Sequence, residues 1–304
     1  MIWLNNLIAG LLPLVPRSLV GMIARQYIAG ETLSQAVIKI RELNDRHIGA
    51  TLDLLGEDPK TRSACLLAVA TYKKALQAIK DEGLSSGISL KPSQMGLKID
   101  QAFCFENIQT LVRAAKEKNI FVRIDMEDIS LKEDTIIFFL RLTETYDNIG
   151  IVMQAYMRSG IDDINRMTRY GANIRLCKGA YFWEDETTVY KDMSVINSSY
   201  VHLLEKLLSN GCFTAIATHD EKLVFEAYKI IDRLKLSKDK YEFQMLYGVS
   251  ERLRQSILDQ GHRMRVYVPF GRDWFAYSVR RLKENPKMVT YIIENMLKRI
   301  FNRA

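Results

Sequence analysis

Apolar and polar residues alternate with period two in eight short runs, beginning near Ile48, Gly87, Ile120, Ile149, Ala172, Phe213, Tyr241 and Met264. Successive side chains of an extended strand point to opposite faces, so each run predicts a strand with one apolar and one polar side. Between the runs the apolar spacing changes to three and four. That spacing predicts helices over residues 61–80, 103–118, 133–146, 162–170, 191–209, 221–234, 251–260 and 274–284. Strict strand and helix alternation calls for parallel pairing, because each helix must cross back over the sheet before the next strand joins it.

One parity of the runs carries Leu52 and Leu54, Ile88 and Leu90, Val122 and Ile124, Ile151 and Met153, Ile174 and Leu176, Ala215 and Ala217, Phe243 and Met245, and Val266 and Val268. That face suits a helix layer. The other parity carries Thr51, Asp53, Ser89, Lys91, Arg123, Asp125, Gln154, Asn173, Arg175, Thr214, Thr218, Glu242, Gln244, Arg265 and Tyr267. A doubly wound open sheet buries both faces and reads as continuous apolar runs. A closed barrel with a polar lumen accounts for the alternation better. Its four basic residues (Lys91, Arg123, Arg175, Arg265) and three acidic ones (Asp53, Asp125, Glu242) are balanced enough to offset desolvation by pairing. The expected class is α/β, a (βα)8 TIM-type barrel over residues 46–304. A helical extension covers residues 1–45, and a closing helix follows Pro286.

The 304 residues and 48% hydrophobic content suffice for a barrel core. A net charge of +7 raises nucleic acid or an anionic membrane as partners, but the basic residues are scattered among 36 acids with no basic run. Nucleic-acid binding is therefore not expected. Cys65, Cys104, Cys177 and Cys212 stand far apart without CxxC spacing, which argues against a disulfide framework or zinc site and for a reducing cytoplasm. Residues 1–16 carry no charged side chain, yet they are too short to span a bilayer. A helix packed on its own domain and a peripheral contact with the inner face of a membrane both remain open for them.

Barrel active sites form where strands end and loops begin. The polar residues there are Asp53, Lys91, Asp125, Gln154, Arg175 through Lys178, Thr218 through Asp220, Gln244 and Tyr267. Three strand-end cations imply an anionic or electron-rich guest. After Lys178, the Gly179-Ala180 turn offers bare backbone N–H groups to a phosphate. Asp220 suits a helix cap, and His219 has no companion at a metal-ligand spacing, so no metal is expected. On the last barrel helix Trp274, Tyr277, Arg281 and Glu284 share one face beside Arg280. That face suits either solvent or a carboxylate clamp, since guanidinium forks bind carboxylates bidentately. Lys91 and Lys178 would also suit a Schiff-base lyase, and a non-catalytic basic surface module is the remaining alternative.

Taken in order, the blocks TLDLLGE at 51–57, SLKPSQMG at 89–96, RIDMED at 123–128, GIVMQAY at 150–156, RLCKGAY at 175–181, ATHD at 217–220, YEFQMLYG at 241–248 and RVYVPFG at 265–271, followed by Tyr277 and RRLKE at 280–284, resemble the proline dehydrogenase family. The resemblance spans roughly residues 30–285. It implies FAD-dependent oxidation of L-proline to Δ1-pyrroline-5-carboxylate, with electrons passed to a membrane quinone. It further implies that Lys91, Arg280 and Arg281 bind the carboxylate, that Tyr267 and Tyr277 wall the ring, and that Glu284 orients the arginines. Asp125 and Arg175 would be catalytic, Arg175 beside the reactive flavin nitrogen and Asp125 positioning Tyr267 or Arg175. The flavin positions would be Met126, Gln154, Arg175, Lys178, Gly179, Ala180, Thr218 and His219. Pro92 and Cys177 depart from the family's usual aliphatic residues.

Overall fold

Eight parallel strands close into a barrel in the computed structural model, which describes residues 26–56, 58–179, 185–275, 277 and 278. The strands are β1 (Gly49–Leu54), β2 (Ser86–Leu90), β3 (Val122–Ile124), β4 (Ile149–Gln154), β5 (Asn173–Cys177), β6 (Thr214–Ala217), β7 (Tyr241–Leu246) and β8 (Met264–Phe270). They pair in sequence order, and β8 returns to β1 with Thr51 opposite Tyr267. Each begins within two residues of the position expected from the alternation.

Helices packed on the barrel include α1 (Leu33–Asn44), α2 (Arg62–Asp81), α3 (Gln101–Lys116), α4 (Lys132–Thr143), α5 (Gly160–Thr168), α6 (Met193–Ser209), α7 (Glu221–Leu234) and α8 (Glu251–Asp259). Polar side chains set several starts by taking up backbone N–H groups that the first turn leaves unpaired. Thr61 caps α2, Asp192 caps α6 and Asp220 caps α7. Asp100 accepts from Phe103 N at 2.8 Å, which begins α3 two residues before the apolar spacing indicates.

The apolar parity faces the helices: Leu52, Ile88, Val122, Ile151, Ile174, Phe243 and Val266 are all buried in one continuous core. Strand β6 departs from the expected parity. Ala215 is the Cα partner of both Arg175 and Glu242, so it faces the lumen with them, and Ala217 pairs with Gln244. Thr214 and Ile216 face the helices, where Thr214 donates to Cys212 O at 3.1 Å.

Helix α1 lies along the outside of the seam between the first and last strands. Ala29 N donates to Pro269 O and Gly271 N to Gly30 O at the top of the barrel, while Asn44 donates to Ile48 O at the bottom. Ala36, Val37, Ile40 and Leu43 are its buried side. The incoming chain passes so close to the β7–α8 loop that a Cβ on Gly248 would lie 1.6 Å from Gln26 O, in a backbone with φ +71°. Trp274, Phe275, Tyr277 and Ser278 are helical as expected, and Tyr277 is buried. The remainder of that helix, the closing helix after Pro286 and residues 1–16 lie outside the described residues.

Candidate active site

A chain of hydrogen bonds runs from Arg265 through Glu242, Gln244 and Arg175 to Asp125 up the lumen. At its lower end Glu242 accepts from Arg265 Nε at 2.6 Å, and Arg265 Nη1 donates to Ala50 O at 2.8 Å. Arg123 Nη1 donates to Ile151 O and Asn173 O at 3.0 and 2.7 Å. Only glycine fits beside that group, because a Cβ on Gly150 would lie 2.4 Å from Arg123 Nη1. Burial, reinforced by the Arg175 charge, pulls the Arg123 guanidinium well below its ordinary range, and Glu242 opposes that pull. Glu242 is itself pushed up by burial, but Arg265, Gln244 and Arg123 more than reverse this and hold it below the usual carboxylate range.

Gln244 joins this lower layer to the mouth. Its Nε2 donates to Glu242 Oε1 at 2.7 Å, and its Oε1 accepts from Arg175 Nε at 2.6 Å. Arg175 Nη1 donates to Asp125 Oδ1 at 2.8 Å and to Ser89 Oγ at 3.3 Å. Asp125 completes its set by accepting from Ser89 Oγ at 2.6 Å and from the Tyr267 hydroxyl at 3.0 Å. The Arg175 guanidinium also lies 5.2 Å from the Tyr267 ring centre, within cation–π range. Burial and the Asp125 charge raise the Tyr267 phenol well above its ordinary value, so it stays a donor at neutral pH. Tyr277 is close enough to contribute to that shift.

Across the mouth Lys91 Nζ donates to Asp53 Oδ1 at 2.6 Å and reaches the Tyr267 oxygen at 3.5 Å. Burial alone would lower the Lys91 ammonium, but Asp53 and Asp125 reverse that and raise it. Burial pushes Asp53 up to about 6 against the opposing pull of Lys91. Both groups therefore carry charge at neutral pH. An ammonium and a guanidinium thus line a mouth walled by two tyrosines, which suits a small carboxylate with a flat or cyclic body.

The ends of β4, β5 and β6 form an adjoining cradle. Gly179 has φ +104°, and a Cβ there would lie 2.3 Å from the Tyr156 ring, so the backbone presses against that ring as only glycine permits. Lys178 pairs with Asp220 at 2.7 Å, and Thr218 Oγ1 accepts from Asp220 N at 3.1 Å. His219 Nε2 accepts from Leu246 N at 2.9 Å, which assigns its ring proton to Nδ1. Gln154 Nε2 donates to Met126 O at 3.3 Å, while its buried Oε1 has no hydrogen-bond partner among the described residues. An acceptor of that kind suits a ligand's N–H. No group of three or more potential metal ligands occurs among the described residues.

A family model described as proline dehydrogenase matches residues 36–292. The chain belongs to the proline dehydrogenase family. It is 33% identical over 276 residues to proline dehydrogenase 1 of Bacillus subtilis (strain 168), covering 91% of each chain. It is 32% identical over 281 residues to proline dehydrogenase of Deinococcus radiodurans, covering 91% of this chain and 90% of the relative. Among solved structures, proline utilization A (PutA) from Bdellovibrio bacteriovorus, inactivated by N-propargylglycine, superposes with a TM-score of 0.80 at 26% identity. That match covers 86% of this chain and 32% of the PutA chain, so this protein spans about a third of its length.

For this member of the proline dehydrogenase family, the structure brings Lys91, Asp125, Arg175, Tyr267 and Tyr277 together at the mouth and sets Met126, Gln154, Lys178, Gly179, Thr218 and His219 around the cradle. Ala180, Arg280, Arg281 and Glu284 lie outside the described residues. Sequence reasoning placed Asp53, Glu242 and Gln244 in the lumen without giving them partners. Asp220 both caps α7 and pairs with Lys178, and the pairing carries no signal in the sequence, where the two residues are 42 positions apart.

Proposed function

We propose that this protein oxidises L-proline to Δ1-pyrroline-5-carboxylate with FAD, the opening step of proline catabolism, and delivers the electrons to a quinone. The observation that carries this most is the buried mouth in which Lys91 and Arg175 face two tyrosines, in a chain of the proline dehydrogenase family. When bound, FAD supplies an acceptor for the hydride that leaves the proline ring carbon beside nitrogen. The cradle fits such a cofactor: Gln154 presents an unmatched buried acceptor, Gly179 bare backbone and Lys178 a cation. Met126, Gln154, Arg175, Lys178, Gly179, Ala180, Thr218 and His219 are the residues that would hold it.

The remaining side chains bind and orient. Lys91, with Arg280 and Arg281 by family resemblance, would hold the substrate carboxylate, and Glu284 would keep the two arginines in place. Tyr267 and Tyr277 would close on the ring and exclude water. Asp125 accepts from both Arg175 and Tyr267, so it fixes them rather than acting as a free base. The fixed charge of Arg175 favours the electron-rich reduced cofactor, and it is preorganised by bonds that do not have to form during reaction. Residues 46–304 would make up the catalytic barrel domain and residues 1–45 its helical extension.

Quinone reduction would bring the enzyme against the inner face of a membrane from the cytoplasm, with residues 1–16 as the candidate contact. No helix among the described residues is long and apolar enough to cross a membrane. The deciding experiment is anaerobic addition of L-proline to the flavin-loaded protein. Bleaching of the flavin band is expected, and a band that proline leaves intact would overturn the substrate assignment.

A further inference from the structure

Arg175 is held from two edges. Asp125 and Ser89 take Nη1 on the side of the mouth, and the Gln244 amide oxygen takes Nε at 2.6 Å on the other. An amide has an accepting and a donating end that exchange on rotation, so something must decide which end meets the guanidinium. Here Glu242 decides. An ionised carboxylate only accepts, so Gln244 must turn its NH2 toward Glu242, at 2.7 Å, and its oxygen toward Arg175. Glu242 is itself anchored by Arg265 Nε at 2.6 Å. Ala215, the Cα partner of both Arg175 and Glu242, places only a methyl between them on the lumen face. Glu242, Gln244 and Arg175 are 4%, 5% and 7% exposed, so solvent is poorly placed to replace a lost bond.

We propose that Glu242 and Gln244 are positioning residues for the redox reaction: the carboxylate fixes the amide, and the amide fixes the plane of the Arg175 guanidinium that serves the flavin. This rests on the flavin-dependent function proposed above. Two modes of action for Glu242 predict opposite signs. If its negative charge acted only through space, Glu242→Gln would make the cofactor site more positive, favour the reduced flavin and raise the reduction potential. In the relay, Glu242→Gln leaves the neighbouring amide free to turn its NH2 toward Arg175, the guanidinium is displaced and the potential falls.

The test is the potential of the bound flavin, read by dithionite titration against a reference dye, together with stopped-flow flavin reduction by proline. Gln244→Met changes no charge. It is expected to lower the potential and to slow flavin reduction at saturating proline about tenfold, the scale of one hydrogen bond to a charged group, with KM moving less than about twofold. Glu242→Gln is expected to lower the potential in the wild-type background and to raise it in the Gln244→Met background, where only the field effect remains. An unchanged potential in Gln244→Met, or a rise on Glu242→Gln in both backgrounds, would overturn the relay. If Glu242→Gln does not fold because Arg123 and Arg265 lose their counter-charge, Gln244→Met decides alone. A wild type that binds flavin but is not reduced by proline would sink the functional proposal and leave the dithionite measurement to judge the relay. A wild type that holds no flavin would sink both.

Discussion

Lys91 and Asp53 form a 2.6 Å ion pair inside the barrel mouth, with side chains 8% and 0% exposed. Such a pair loses hydration on both sides, so its net contribution to stability is small while breaking it is costly. Asp53 holds the ammonium within reach of the Tyr267 oxygen, and the Asp125 charge lies close enough to raise it. The pair converts a flexible lysine into a fixed positive charge.

The first prediction follows from the raised Asp53 carboxyl. Its value in the folded protein is about 6, against an ordinary 3.8. Between those values the folded state binds a proton that the unfolded state does not, so stability from this group is highest at low pH and is lost as pH rises through about 6. Going from pH 7 to pH 5, the wild type should gain roughly 1 kcal/mol relative to Asp53→Asn, an amide that cannot titrate. Urea unfolding at the two pH values measures this. A constant gap between the two proteins would contradict the assignment.

A second prediction separates the stability of the pair from its use. Lys91→Met leaves the Asp53 carboxylate buried without its cation and should destabilise the fold by about 3–5 kcal/mol, the range for a broken buried pair. Adding Asp53→Asn removes the orphaned charge and should restore most of that loss. Proline binding should stay weak in the double variant, because the cation is still missing. Recovery of both stability and proline affinity would show that Lys91 does not serve the substrate.

The barrel was legible because a residue's side of a strand is a matter of parity, and seven of the eight strands have bulky apolar residues on one parity. Strand β6 misleads because its one bulky apolar residue, Ile216, stands on the parity of Thr214 and Thr218 while the other parity, Ala215 and Ala217, is also apolar but small. Polarity then favoured the threonines as lumen residues, whereas Thr214 satisfies its hydroxyl on Cys212 O outside the lumen. The two alanines are inside because Arg175 and Gln244 need the space. The Glu242 to Gln244 contact spans two residues of one strand, so the shared parity was readable. Which residue each of them reaches on neighbouring strands depends on register, and a single strand's sequence does not contain it. Helix α1 was likewise expected as an extension, yet nothing in its own periodicity says that it covers the β8–β1 seam.

A third prediction concerns the cradle. Gly179→Ala faces a left-handed backbone at φ +104° and a Cβ 2.3 Å from the Tyr156 ring. Flavin retention on gel filtration should drop sharply. Adding Tyr156→Ala clears the collision but leaves the backbone strain, so retention should recover only in part. Full flavin content in Gly179→Ala would exclude a tight cofactor contact at this turn.

The last prediction tests the carboxylate clamp. If Arg281 grips the proline carboxylate as its family position implies, Arg281→Lys keeps the charge but loses the planar fork. The loss of one charge-assisted bond is on the order of 1.5–3 kcal/mol, so proline affinity should fall by about tenfold to a hundredfold. The flavin should stay bound with an unaltered spectrum, because the proposed cofactor cradle is built from the ends of β4, β5 and β6. Spectral titration with a non-reactive carboxylate analogue of proline gives the affinity without turnover. Near-normal affinity would return the Arg280 and Arg281 pair to a solvated helix face and leave Lys91 as the carboxylate's partner.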